Sequence, residues 1–422
     1  MASYSLQLFL LFALILISTT FSNAQTSSRP RTLVLPVLKD GRTQQYLTHI
    51  NQRTPLAPVK LSVDLGNRFL WINCEDSGYV SSTYQPSQCG SPECVFVRSS
   101  GCSTCYSSPK PGCNNNTCSV YAENTITRTG TGGEFARDVV TLKSSSGSVV
   151  TVPNILFTCG AKNVVKGLAS GVTGMLGLGK DRVGFPTQLA VSLRFDRKFA
   201  VCLSPSTKSN GIIFFGNGPY ISQKLAYTPL LDNPVSTAAI FVRGEHSVEY
   251  FIGVKAININ GKPVLSINTT LLSIGKRGGG GTKISTINRY TTMETSIFNA
   301  FTNAFIKEAG TIGITRTASV APFSACFTSK TINVPNIDLV LQSQSVYWRI
   351  VGRNSMVDVG NNVHCLGFVD GGLNPETSIV IGAYQIEDNL LEFDITASKL
   401  GFSSSLLLHK TNCAKVALTS KI

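Results

Sequence analysis

Leu61-Ser62-Val63-Asp64-Leu65-Gly66, followed by Phe69-Leu70-Trp71, reads as an apolar strand that delivers a carboxylate into a tight glycine turn. Far downstream, Gly280-Gly281-Thr282-Lys283-Ile284-Ser285-Thr286-Ile287-Asn288 has the same shape, but Ser285 holds the carboxylate position. Two carboxylates that share one proton have their pKa values driven apart, so that one acts as base and the other as acid on the same water. Asp64 alone cannot assemble that chemistry. The expectation is a duplicated scaffold without its acid–base pair.

The rest of the chain fits a duplication. Gly174-Met175-Leu176-Gly177-Leu178-Gly179 is an apolar-apolar-Gly step in the first half, and Ile379-Val380-Ile381-Gly382 is its counterpart in the second. Short β-type runs dominate: 31–37, 59–71, 134–142, 154–159, 198–203, 211–215 and 250–259, separated by Gly, Pro, Asn and Ser clusters. Helical periodicity is confined to 186–193 and 296–309, where Ile297, Phe298, Phe301 and Phe305 share one face. The predicted fold class is all-β with a few short helices. Two similar barrels, 25–227 and 228–422, would face each other across a cleft, since so long a chain exceeds one core.

Leu8 to Ile17 is an unbroken apolar run, too short to span a bilayer, and Ser22-Asn23-Ala24 follows it as a small-x-small cleavage signal. Residues 1–24 read as a secretory signal peptide, and no later stretch reads as a membrane span. Export fits the twelve cysteines: Cys74, Cys89, Cys94, Cys102, Cys105, Cys113, Cys118 and Cys159 in the first half, then Cys202, Cys326, Cys365 and Cys413. An even count in an oxidising compartment predicts six disulfides. Cys102-x-x-Cys105 lies in a Ser/Pro/Gly/Asn-rich loop without a nearby histidine, which argues against a metal site. Asn115 and Asn268 head glycosylation sequons.

The net charge is +14, with none of it in residues 1–24. There is no dense Lys/Arg run and no nucleic-acid motif, so the charge is a diffuse field. In an exported protein such a field either serves solubility or favours acidic partners: acidic wall polysaccharides, or a protein cleft lined by carboxylates. His49, His246, His364 and His409 stand singly, and no G-x-S-x-G element is present. Gly174 to Asp181 departs from a phosphate loop where Asp181 replaces the hydroxyl residue that would bind magnesium. No cofactor and no nucleic-acid or membrane partner is expected.

A set of stretches resembles the plant pepsin-like fold along nearly the whole mature chain. They include 50–56, Asp64-Leu65-Gly66, Gly132-Gly133-Glu134-Phe135-Ala136, Lys198-Phe199-Ala200-Val201-Cys202-Leu203, 215–220, 249–254, 281–285, 318–323, 365–372 and 391–394. The resemblance is to its non-proteolytic branch: extracellular dermal glycoproteins, xyloglucan-endoglucanase inhibitors, wheat-type xylanase inhibitors and basic 7S seed globulins. Active plant proteases carry aspartate at the Ser285 position. The resemblance therefore implies a protease scaffold with no catalytic residues, in which Asp64, Ser285 and Tyr121 are remnant positions. Tyr121 corresponds to the flap tyrosine, and Ala122-Glu123-Asn124-Thr125 replaces the glycine-rich flap tip; a packed tyrosine is expected.

The resemblance further implies an extracellular, wall-associated protein that binds and inhibits a microbial glycoside hydrolase, a xyloglucan-specific endoglucanase ahead of a xylanase. A storage or peptide-binding globulin is the alternative, and a residual endopeptidase a remote one. In related inhibitors a basic side chain from the C-terminal tail, and in some a second from a loop after the Cys326 equivalent, enters the target cleft. The candidates here are Lys410 and His409 in the tail, then Lys330 and Arg316. A retaining glycosidase holds two carboxylates about 5–5.5 Å apart, and a cation between them gains roughly 4 kcal/mol per close pair at an effective dielectric near 20. Desolvation offsets part of that gain. Lys410 stands where those inhibitors have arginine, and the loop Cys326 to Val334 is several residues shorter than theirs, with Lys330 in place of its arginine.

Overall fold

Ala57–Asp64 pairs in parallel with Gly174–Gly177, placing Asp64 opposite Gly177. Gly174–Gly177 also lies antiparallel to Trp71–Asn73, and that strand runs parallel to Val149–Gly160. The second half repeats the pattern. Thr282–Ile284 is parallel to Ile379–Ile381, which is antiparallel to Thr291–Met293, which is parallel to Phe368–Asp370. The register carries Ser285, the residue after Ile284, to the position that Asp64 holds in the first half. The internal repeat read from the sequence is thus a repeat of strand pairing.

The two glycine steps are required by the close crossing of backbones inside each motif. A Cβ on Gly177 would lie 2.4 Å from the Phe69 carbonyl oxygen, and one on Gly382 would lie 2.3 Å from the Tyr290 carbonyl carbon. No side chain fits at either place.

This computed structural model describes residues 32–75, 78–218, 220–222, 224–241, 244–328 and 333–420. The expected signal peptide lies outside the described residues. Among them are 28 strands, gathered into one 20-stranded sheet and two four-stranded sheets. The all-β expectation holds. Two predicted runs are broken: 59–71 is interrupted between Asp64 and Trp71 by the carboxylate turn, and 250–259 divides into Phe251–Ile252 and Ala256–Ile259.

The large sheet passes between the halves where Lys198–Cys202 lies antiparallel to Asn389–Asp394. There Phe199 stacks on Phe393 at 4.8 Å, and Tyr250 packs on Phe393 at 4.4 Å; all three rings are buried. Each such side chain contributes about 1.5–3 kcal/mol by leaving water. The longest helix among the described residues, Thr295–Thr311, is capped by Glu294, whose carboxylate accepts from the amides of Ser296 and Ile297. Its predicted apolar face is the buried one, with Phe301 against Phe368 and Phe305 against Phe327. The second predicted helix is Phe185–Leu193.

All twelve cysteines pair: Cys74–Cys159, Cys89–Cys102, Cys94–Cys118, Cys105–Cys113, Cys202–Cys413 and Cys326–Cys365. Cys102 and Cys105 therefore belong to different bridges. Among the described residues no helix is long and apolar enough to cross a membrane.

Candidate functional site

Asp64 is 2% exposed. Its Oδ1 accepts from the Gly66 amide at 2.8 Å and its Oδ2 from the Thr125 hydroxyl at 2.5 Å. Burial pushes its carboxyl up from 3.8 to about 6; the Thr125 and Gly66 hydrogen bonds oppose the rise and the negative charge of Glu249 adds to it. Ser285 caps its own turn in the same manner, its Oγ accepting from the amides of Ile287 and Asn288 at 3.1 Å each. It also donates to Asn288 Oδ1 at 3.2 Å. Between the turns, Thr286 Oγ1 accepts from the Leu65 amide at 3.1 Å and donates to the Val63 carbonyl at 2.9 Å. The bridge is one-sided because apolar Leu65 holds the matching place after Asp64.

A hairpin closes over this turn. Its strands, Thr117–Asn124 and Thr129–Ser144, are paired in register from Ser119–Glu134 to Asn124–Thr129, which puts Thr125 at the tip. The Glu123 carbonyl accepts from Trp71 Nε1 at 2.7 Å and from Asn67 Nδ2 at 2.8 Å. Asn124 Nδ2 donates to the Val164 and Lys166 carbonyls. From the other half, the Ala239 amide donates to Glu123 Oε1 at 2.8 Å. Burial raises the Glu123 carboxyl from 4.5 to about 7, while the Ala239 hydrogen bond pulls it down.

Nearby, Lys283 Nζ donates to both oxygens of Glu249 at 2.8 and 2.9 Å, and Thr237 donates to Glu249 as well. What is left between Asp64, Thr125, Glu123, Glu249 and Ser285 is a cavity of about 70 Å³. That admits a few waters. The arrangement holds the turn together, with Ser285 at the place in the second turn that Asp64 takes in the first.

Tyr121 is not the packed residue expected. It is 45% exposed and lines an adjoining cleft with Phe241 and Arg98; it lies on a solvent-facing position of the hairpin strand, whose burial alternates. The tail candidates stand together. Leu406–His409 forms one 3₁₀ turn, and Lys410 caps it in the left-handed conformation at φ 57°, with His409 and Lys410 both exposed. The tail is tied down on both sides: the Leu406 amide donates to the Asp388 carbonyl at 2.7 Å, the Cys413 amide to Asp388 Oδ1 at 2.9 Å, and Cys413 bridges to Cys202.

Arg316 lies exposed on Thr315–Thr317, paired with Cys326–Thr328, and its guanidinium donates to the Ser324 carbonyl at 3.5 Å. Lys330 falls outside the described residues. Asn115 and Asn268 are exposed, the latter capping the short turn Thr269–Leu272 through its side chain.

The chain matches the family models for the xylanase inhibitor N-terminal region over residues 46–217 and the C-terminal region over 249–404. It belongs to the xylanase-inhibitor family. Within that family it is 55% identical to a probable aspartic proteinase GIP2 from Nicotiana benthamiana, over 99% of each chain. It is 42% identical to gamma conglutin 1 of Prunus dulcis, over 98% of this chain and 97% of that one.

Among solved structures it superposes on that of edgp with a TM-score of 0.90 at 55% identity, covering 92% of this chain and 98% of that one. The basic 7S globulin of soybean matches with a TM-score of 0.81 at 36% identity, covering 92% and 99%. An aspartic proteinase from Irpex lacteus, 15% identical, shares the pepsin-like fold at a TM-score of 0.56 over 89% and 97%.

For this family member, the sequence reading missed how the turn is sealed. Thr125, Glu123, Glu249 and Lys283 were not singled out. One signal was present: a threonine at the tip where the resemblance led one to expect glycine. Another was Lys283, a lysine inside an apolar strand two residues before Ser285.

Proposed function

We propose that this chain is an exported, catalytically inactive pepsin-like protein that binds and inhibits a microbial glycoside hydrolase in the plant cell wall, a xyloglucan-active endoglucanase ahead of a xylanase. Residues 1–24 would be removed on export, and Ser285 would mark the lost second catalytic carboxylate. The observation that carries the reading is the presentation of Lys410. It is an exposed cation, fixed in a left-handed cap and anchored three residues later by Cys413–Cys202. A backbone already fixed at the cap loses less entropy on docking. Ammonium binds as a point charge without the guanidinium fork, so the contact relies on enclosure between carboxylates. A one-to-one complex of this kind buries on the order of 1,600 Å². The test is parallel titration of a fungal xyloglucanase and a xylanase with the purified protein. Stoichiometric loss of either activity supports the reading; no loss at micromolar protein excludes it for those targets.

A second reading, a storage or peptide-binding globulin, draws support from the gamma conglutin and basic 7S globulin relatives. Accumulation in seed tissue, with no inhibition of either hydrolase, would favour it. A residual peptidase would need Asp64 released from Thr125, whose hydroxyl donates to its Oδ2.

A further inference from the structure

The largest cavity among those described is not the one at Asp64. It measures about 600 Å³ and lies between 180–182, 230–232 and 244–250, with Arg68 and Arg98 at its edge. It continues into the cleft lined by Tyr121 and Phe241 through shared walls at Arg68, Arg98, Asp181 and His246. The joint groove has two kinds of surface. One stretch presents the exposed rings of Tyr121 and Phe241; the other presents cations.

Four cationic side chains line the cavity against two carboxylates, and Glu123 and Glu245 stand on the adjoining cleft. Arg68 is committed: it pairs with Asp181 at 3.0 Å and Glu245 at 3.3 Å and donates to the Val97 carbonyl at 2.9 Å. Lys180 pairs with Asp232 at 3.1 Å, and His246 Nδ1 meets the other oxygen of Asp232 at 2.6 Å. These pairs fix the walls. Arg98 and Arg182 remain, both exposed. Arg182 lies over the Phe96 ring at 5.3 Å, and neither arginine has an ion-pair partner among the described residues. Arg98 projects from a residue at φ 54°, a conformation outside the ordinary range for arginine.

We infer that this groove binds an acidic oligosaccharide, with uronate carboxylates on Arg98 and Arg182 and sugar rings along the aromatic stretch. A guanidinium matches a carboxylate as a two-pronged donor. The cavity of about 600 Å³ suits an oligomer of a few sugars, with the narrower aromatic cleft at its end. His246, exposed and held through Nδ1 by Asp232, offers its Nε2 to a ring hydroxyl. A neutral glycan would leave both arginines unanswered, and a small inorganic anion would leave the aromatic stretch unused. The inference is independent of hydrolase inhibition, since none of these residues belongs to the tail.

The test is calorimetric titration of the full mature protein with trigalacturonate at low salt, with maltotriose as the neutral probe of equal length. The paired variant Arg98→Asp with Arg182→Glu is compared with Lys276→Glu and Lys415→Glu, two exposed lysines outside the groove that change the net charge equally. Melting curves confirm that both variants fold. The expected result is saturable trigalacturonate binding, weakened at least about tenfold in the groove variant and less than about threefold in the control. Equal loss in both variants would reduce the effect to the diffuse charge field and overturn the site. Absent binding, or equal binding of maltotriose, would overturn it as well.

Discussion

At Asp64 the surroundings oppose ionisation, and the pH dependence follows from that. Its carboxyl titrates near 6 in the fold against 3.8 when exposed, so between those values the folded chain holds a proton that the unfolded chain has released. Stability from this group is therefore present below about 4 and is lost as pH rises through 6. Asp64→Asn removes the titration while keeping an acceptor for Gly66. Relative to wild type, the variant should gain on the order of 1–3 kcal/mol between pH 5 and pH 8; urea melts at both values measure it, and an unchanged gap would refute the assignment. Glu123, pushed up to about 7, gives a slope of the same sign. Ser285→Asp should not restore peptidase activity, because Thr125 at the hairpin tip occupies Asp64 Oδ2. Pepstatin-sensitive cleavage at acid pH by that variant would contradict this.

Among the elements, the hairpin tip and the long helix respond differently. Thr125→Val keeps the shape of the side chain but removes the hydroxyl that donates to Asp64. Leaving that buried acceptor bare costs about 1–3 kcal/mol, and amide exchange across residues 123–128 should quicken while the sheets keep their protection. Phe301→Ala in Thr295–Thr311 empties a fully buried site and should cost about 3–5 kcal/mol in global stability, read from urea melts.

The helix face was legible because Ile297, Phe298, Phe301 and Phe305 recur at helical spacing. The carboxylate turn was legible because its motif occurs twice. The seal over that turn was not. It rests on contacts between residues far apart in sequence, such as Ala239 with Glu123 and Thr286 with Val63, and no local pattern announces those. Tyr121 was misjudged for a related reason, since a strand position alone does not say which face the sheet leaves to solvent.

Across the whole molecule, continuous sheet joins the two halves. The Cys202–Cys413 bridge spans 211 residues, and with the Asp388 contacts it makes the tail part of the folded body. Paired replacement of these cysteines by serine should cost about 2–5 kcal/mol and weaken any inhibition further by loosening the tail. Under the proposed function this body presents Lys410 to a hydrolase. That role is tested most directly by titrating a fungal xyloglucanase with wild-type protein and with Lys410→Ala at low and high salt. The account predicts stoichiometric, salt-sensitive inhibition by the wild type and a loss of at least about tenfold in potency on substitution. Undiminished inhibition by Lys410→Ala would contradict the role given to the tail, and absence of inhibition by either protein would contradict the inhibitor reading for this enzyme.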